Sequence, residues 1–471
     1  MKALELLCSQ VSLRPLEQPL VRGLEQSRLL GLLLTGGQRL HQQLLQWAET
    51  SLAAKVLPIL SLYSTLLVLI ASPFLDSGPT GLLVAGASLF TLLRLLLTRD
   101  TLKPGVLLGL IILFTASGLI STLTSAYPML SAYGYAKSIT YLAAYLCFLV
   151  NLRTLGHARQ AAWVIIFSAT LVALYGLYQW HIKVPPLALW DDPNVEVKMT
   201  RVYSFLGNPN LLGGYLLPTS AMTLFFYFGN LGWRKLLLLA SLIAQLVCLY
   251  FTYSRGAWIA LAAGSLVSFG LCLSIFWHIF MNNKALKGLL FGGTALGIVG
   301  GGAMVLRSPA IMARIQSLIS GGEHSSNQFR INVWNSSFAM IQDFWLTGIG
   351  VGNKVFQKIY VYYMATGFHA LSTYNIFLEV WVEMGIIGIA LFLFMLVVHL
   401  ARCLWGVVQD IDYTSRLFLA AAFTGLTGLL VHGMVDTIFF RPPLQILFWF
   451  LLALIAIVSR DELAYQHQLT R

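Results

Sequence analysis

Apolar residues in this chain fall in long blocks separated by short polar breaks. Stretches of about 17–25 mainly apolar residues, enough for a helix to cross a bilayer, recur at 56–75, 79–97, 105–123, 131–150, 161–180 and 210–228. The second half adds 234–252, 257–277, 286–306, 374–400, 416–434 and 442–459. Helices satisfy their own backbone groups in lipid, so the blocks predict an all-α, polytopic integral membrane protein with about twelve transmembrane helices. One membrane domain then occupies 56–459. Two connections within it, 181–210 and 307–373, are too long to be turns, and loops of that length are usually functional or disordered.

Composition agrees, with 58% hydrophobic and only 10% charged residues, which excludes an ordinary soluble domain. The net charge of +12 does not point to nucleic acid, because the cations follow topology. With Met1 placed in the cytoplasm, the inner connections hold Arg99 and Lys103, Arg153 and Arg159, Arg234 and Lys235, Lys284 and Lys287, and Arg402 and Arg416. The outer turns around Asp76 and around Tyr127-Pro128 carry no lysine or arginine, as the positive-inside rule expects. Both termini and the 460–471 tail are then cytoplasmic, and both long connections lie outside.

Residues 1–55 read as a retained cytoplasmic segment. Their compact apolar run, Leu29–Leu34, is short and no small-residue cleavage pattern follows it. Leu40, Leu44, Leu45, Ala48 and Leu52 recur near helical spacing, the pattern of an interfacial helix. The five cysteines show no CxxC spacing and the histidines are scattered, so neither a metal nor another cofactor is expected.

Candidate chemistry concentrates on the outer face. Arg255 stands in the break Tyr253-Ser254-Arg255-Gly256 between two apolar blocks, on the side where the positive-inside rule disfavours a cation in a short turn. A helical run from Phe329 to Trp345 carries Arg330, Trp334 and Phe338. Gly348-Ile349-Gly350-Val351-Gly352 then ends it, and alternating glycines permit close backbone approach. The spacing is not that of a dinucleotide or P-loop motif. Asn208-Pro209-Asn210 reads as a helix cap, and Asp436 lies close enough along the chain to pair with Arg441.

Ser254-Arg255-Gly256 at a span boundary, Arg330 with Trp334, the alternating glycines, and Asn375 to Gly388 with Glu379 and Glu383 occur in this order around one large outer loop. In this the chain resembles the O-antigen ligase and polymerase superfamily of bacterial envelope glycosyltransferases. Val202–Leu212, Ala370–Tyr374 and Val435–Pro442 resemble one branch more closely, the cyanobacterial proteins named as inorganic carbon (bicarbonate) transporters of the B type.

The superfamily resemblance implies an inner-membrane protein that uses a lipid diphosphate-linked glycan and a glycan acceptor, without metal. It implies that Arg255 and Arg330 stabilise the departing diphosphate. Arg201, Trp334, Tyr374, Asn375 and Arg441 are then candidate substrate contacts, and Asp436 a further catalytic candidate. Ligases of the superfamily commonly place a histidine before the asparagine that opens the following span, whereas this chain has Tyr374 before Asn375. His369 and Glu379 are the candidates for the missing base, with Glu383 one turn further on. The transporter branch implies instead bicarbonate uptake or a supporting role in carbon accumulation, for which Lys137 and Glu383 are the main ionisable residues deep in the spans. A non-catalytic membrane scaffold is the third class, and it leaves the outer arginines unexplained.

Overall fold

The computed structural model describes residues 51–100, 105–187, 200–282, 326–409 and 411–469, with Leu102 and short pieces of the first fifty residues. The predicted span at 286–306, the start of the large loop and most of the N-terminal segment lie outside the described residues. Among those described, the secondary structure is helical and contains no strand. The helices are α1 (Leu52–Ala71), α2 (Ser77–Leu97), α3 (Val106–Thr124), α4 (Pro128–Asn151), α5 (Leu155–His181), α6 (Pro209–Phe228) and α7 (Trp233–Phe251). They continue as α8 (Arg255–Asn282), α9 (Ser326–Asp343), α10 (Asn353–Tyr360), α11 (Ile376–Val408), α12 (Tyr413–Gly433) and α13 (Pro442–Leu469).

Ten of these are long and apolar enough to cross a membrane. The predicted span at 131–150 forms α4, which is 24 residues long but is not among the ten, because Ser131, Tyr133, Tyr135, Lys137 and Ser138 dilute its apolar character. The predicted tail is not a separate element, since the backbone of α13 continues helically to Leu469. Burial separates centre from rim. The apolar windows of α13, α6 and α12 are 94%, 83% and 72% buried, against 22% for α2 and 28% for α7 and α8. Leu82 and Leu89 of α2, Ile243 of α7 and Leu266 of α8 stay exposed, a surface suited to lipid.

The connections predicted on one side meet one another. Phe74 packs edge-on against Phe205 at 5.0 Å, and Ser125 donates to the Ile349 carbonyl at 2.6 Å. At the other end, Asp100 pairs with Arg94 at 2.6 Å and Arg153 at 2.7 Å. There the fully buried Asn151 bonds Ser61, Thr65, Thr91 and Arg94.

The element that positions the candidate site is a break in α11. Gly385 has φ 64° and ψ −164°, a conformation open essentially to glycine alone. The backbone groups freed by the break cannot be left bare in a membrane. The alternating-glycine segment satisfies them: Ile349 N–H donates to the Val382 carbonyl at 2.9 Å, Gly350 N–H to the Glu383 carbonyl at 3.1 Å, and Ile386 N–H to the Trp345 carbonyl at 2.8 Å. Gly348 must lie against this break, because a Cβ there would sit 2.4 Å from the Glu383 carbonyl. On its other side the same segment is fixed to α4 by Val351 N–H, which donates to Ser131 at 2.8 Å.

Gly385→Ala should therefore lower the stability of the detergent-solubilised protein, by strain of about 1–3 kcal/mol and by a Cβ 2.3 Å from the Leu346 carbonyl. Gly270→Ala on α8 meets nothing within 4 Å and should be neutral or mildly stabilising, since alanine favours a helix by up to ~1 kcal/mol over glycine. Paired thermal melts check both; equal melting of the two variants would remove the strained break as a structural requirement.

Candidate functional site

The site begins with a loop strapped down by backbone bonds. Val202 N–H donates to the Phe251 carbonyl at 3.2 Å, and the Gln179 side chain accepts from Tyr203 N–H at 3.1 Å and Ser204 N–H at 2.7 Å. This sets Arg201 at the end of α7, buried, where its Nε donates to the Thr252 carbonyl at 3.0 Å and its Nη2 to Asn210 Oδ1 at 3.1 Å. Asn208 caps α6 by accepting from Asn210 N–H and Leu211 N–H, which leaves the Asn210 side chain for the site.

Asn210 Nδ2 donates to Asp436 Oδ2 at 2.6 Å, and Arg330 Nη2 donates to the same oxygen at 3.0 Å. The other carboxylate oxygen accepts from Thr437 N–H at 2.8 Å. A continuous chain Arg201–Asn210–Asp436–Arg330 thus joins the strapped loop, α6, the α12–α13 turn and α9. The pairing of Asp436 with Arg441 that their spacing allows does not form. Arg441 instead lies 3.9 Å from Asp76 and over the Phe440 ring at 5.1 Å, tying two connections together beyond the network.

Arg255 reaches the same place by another route. It opens α8, and its Nη2 donates to Asn327 Oδ1 at 3.2 Å. Asn327 and Arg330 are three residues apart on α9 and share a face. The two arginines predicted to act together therefore converge on adjacent turns of one helix. Arg330 bonds Asp436 directly, Arg201 joins it through Asn210, and Arg255 reaches the same helix through Asn327; guanidinium groups gathered this way suit an anion.

The remaining candidates divide. Trp334 Nε1 donates to the Thr373 carbonyl at 3.0 Å, and Asn375 caps α11 by accepting from Phe377 N–H and Leu378 N–H. Both hold the turn that carries Tyr374. Tyr374 has φ 54° and packs edge-on against Phe329 at 5.4 Å. Burial first, and the neighbouring Asp436 charge second, raise its phenol above the ordinary value of 10.0. His369 is exposed on the loop and takes no part in the network.

Among the described residues, the Glu379 and Glu383 side chains make no hydrogen bond to this network. With Lys137 and Lys354 they line a cavity of about 360 Å³ between α3, α4, α10, α11 and α13. The Ser372–Thr437 hydroxyl contact at 2.6 Å joins the turn before α11 to the α12–α13 turn, with Leu371 and Phe439 lining the cavity and Tyr374 beside Asp436.

Three contributors were not singled out from the sequence. Asn210 was read only as part of a cap, yet it bridges Arg201 and Asp436. Asn327 fell among polar loop residues. His432 is fully buried one helical turn before Asp436, its ring nitrogens bonded to no described residue, against Gly213, Gly214 and Gly256, where a Cβ would approach the ring to between 2.9 and 3.8 Å. A lone histidine in the apolar run of α12 was its only signal. Among the described residues no three His, Cys, Asp or Glu side chains come together in a metal-ligating group.

No curated protein matches this chain. Residues 220–393, which run from α6 through the large loop into α11, match the family model described as O-antigen ligase, and this supports placing the protein with the O-antigen ligase superfamily.

Proposed function

We propose that this protein transfers or polymerises glycan from a lipid diphosphate carrier at the outer face of the inner membrane. The observation that carries the reading is the convergence of Arg255 and Arg330 on adjacent turns of α9, with Arg330 held by Asp436 and Asn210. In such a transfer the acceptor oxygen attacks the anomeric carbon, the bond from that carbon to the diphosphate breaks, and the diphosphate departs with the electron pair. Guanidinium groups fixed beforehand stabilise that charge without reorganising, and they remain protonated at any working pH.

The same geometry supports a role for Asp436 as an anchor. Three donors already occupy its carboxylate, which leaves it ill-suited to accept the acceptor's proton. Tyr374, with its phenol raised above 10.0, stays protonated at neutral pH and serves as a hydrogen-bond donor. Glu379, on the first turn of α11 after Asn375, is the carboxylate we assign to the proton. Bicarbonate uptake is the second reading, and one observation favours it: Lys137 of α4 and Glu383 of α11 line a single cavity.

Arg255→Ala and Arg330→Ala should each lower transfer from a lipid diphosphate donor by about 10²–10³-fold, the scale for loss of one strong preorganised donor. Arg330→Lys should recover only part, because lysine cannot reproduce the planar fork. The companion assay is labelled bicarbonate entry into proteoliposomes of the same proteins. Uptake by the wild type that disappears in both arginine variants, without any glycan transfer, would overturn the transferase reading.

Tyr374 provides a pH test. Its raised phenol should ionise only above its ordinary value of 10.0, so the transfer rate should show no step from this residue between pH 6 and 9. Tyr374→Phe should leave the shape of that profile unchanged while lowering its height modestly. A limb near neutrality that vanishes in Tyr374→Phe would make Tyr374 the base and displace Glu379.

A further inference from the structure

The break at Gly385 divides α11 into an outer arm, 376–384, and a long inner part, 386–408. At ~1.5 Å per residue the inner part is about 34 Å long. That length already matches the ~30 Å hydrocarbon core of a bilayer and the antiparallel α12, Tyr413–Gly433, at about 32 Å. The outer arm adds nothing to this depth, because its first residue meets the outer end of α12: a Cβ on Gly433 would stand 3.2 Å from the Ile376 side chain. The arm therefore runs across the outer end of the bundle.

The helix α9 lies along that arm. Trp334 bonds Thr373 just before the arm and Trp345 bonds Ile386 just after it. The run from Trp334 to Trp345, about 16 Å if helical, fits the arm in length. Between the two bonds, Val333, Met340 and Ile341 share a buried cluster with Leu378 and Val382 of the arm. The opposite face is bare. Ile331, Phe338 and Trp345 follow at seven-residue spacing, which drifts only ~20° per step around a helix, and they are 44%, 47% and 58% accessible. The exposed neutral amides Asn335 and Gln342 complete this face. At its end the face joins a surface suited to lipid: Ile386, whose N–H bonds the Trp345 carbonyl, begins an exposed apolar stripe that descends α11 through Leu393, Phe394 and Val397.

We propose that α9 is an interfacial helix whose bare face rests on the phospholipids of the outer leaflet. Trp345, with Leu346 beside it, lies at the boundary of the hydrocarbon, and Phe338 and Ile331 follow at headgroup level. Continuity with the lipid-facing stripe of α11 selects this partner. Water would leave three large apolar side chains uncovered in one row, whereas tryptophan at the headgroup level is an ordinary membrane anchor. Asn327 and Arg330 stand on the same helix, so the leaflet helps to set the height of the groups that bond Arg255 and Asp436. The assignment stands whether or not the arginine network performs glycan transfer.

The test is spin-label depth measurement on the full-length protein in phosphatidylglycerol–phosphatidylcholine liposomes. Labels are placed by Phe338→Cys and by Trp345→Cys in a Cys272→Ser background, since the other four cysteines are buried. Collision with oxygen, which concentrates in lipid, is compared with collision with a nickel chelate, which stays in water. Leu266→Cys, at a position 74% accessible on α8, is the lipid reference, and Thr366→Cys, on the exposed loop before α11, is the water reference. The oxygen-to-nickel ratio at Trp345→Cys should approach that at Leu266→Cys, and the ratio at Phe338→Cys should exceed that at Thr366→Cys at least threefold. A ratio equal to the water reference at either position overturns the proposal. Spin–spin broadening that disappears on dilution with unlabelled protein also overturns it, because a second copy would then cover the face. Each variant is compared with the wild type by thermal melting; if Trp345→Cys does not fold, Leu346→Cys reads the same corner.

Discussion

A broken helix inside a membrane must find partners for the backbone groups it frees, and in this protein that requirement organises one end of the bundle. The break at Gly385 exposes the carbonyls of Val382 and Glu383 and the amide of Ile386, and the segment from Trp345 to Gly350 bonds all three. Because water is absent from the hydrocarbon interior, these bonds cannot be exchanged for solvent. The chain after α9 is thereby fastened into α11 and, through Val351 and Ser131, onto α4. The described part of the large connection, 326–373, is thereby held against the bundle.

Both candidate sites depend on that fastening. α9 carries Arg330 and Asn327, and its C-terminal end leads directly into the stitched segment. α10 follows the stitch and carries Lys354 into the cavity. One piece of chain thus sets a guanidinium against Asp436 on one side and an ammonium over Tyr133 on the other. Asp436 gives the first placement its precision. Shared between Arg330 and Asn210, it couples α9 to α6 and, through Asn210, to Arg201 and the end of α7. Removing a single partner from such a network leaves the others partly unsatisfied in a poorly solvated place, where that costs more than it does in water.

How much of this was legible in the chain follows from the range of each signal. Span positions among the described residues, the position of Arg255 at a helix start, and the cap at Asn208 are local properties of apolar block length and cap chemistry, and the structure places them as read. The alternating glycines signalled close backbone approach but not against what, because the partner break is at Gly385, 33 residues beyond Gly352. Proximity in sequence made Arg441 an available partner for Asp436, whereas its partner Arg330 is 106 residues away. Asn210 was hidden by a second plausible duty, since an asparagine beside a helix start is ordinarily explained by capping. The cavity left no single-sequence trace, because it is assembled from charges on α4, α10 and α11 that mean little separately.

The residue at 374 bears on which group could take a proton in the proposed transfer. Position 374 lies beside Asp436 and Arg330, in a turn fixed by Trp334, by the Asn375 cap and by a backbone with φ 54°. A histidine there would have a carboxylate at hand to orient it and could exchange protons near neutrality. A buried tyrosine beside the same carboxylate is held neutral and offers no base at neutral pH. The arginines are unaffected, because their anchor is Asp436 and not the residue at 374. If transfer proceeds here, its proton must leave by another carboxylate, and α11 provides one on its first turn. If it does not, what remains is a rigid, cation-rich anion site beside a charged cavity, a frame able to bind without reacting.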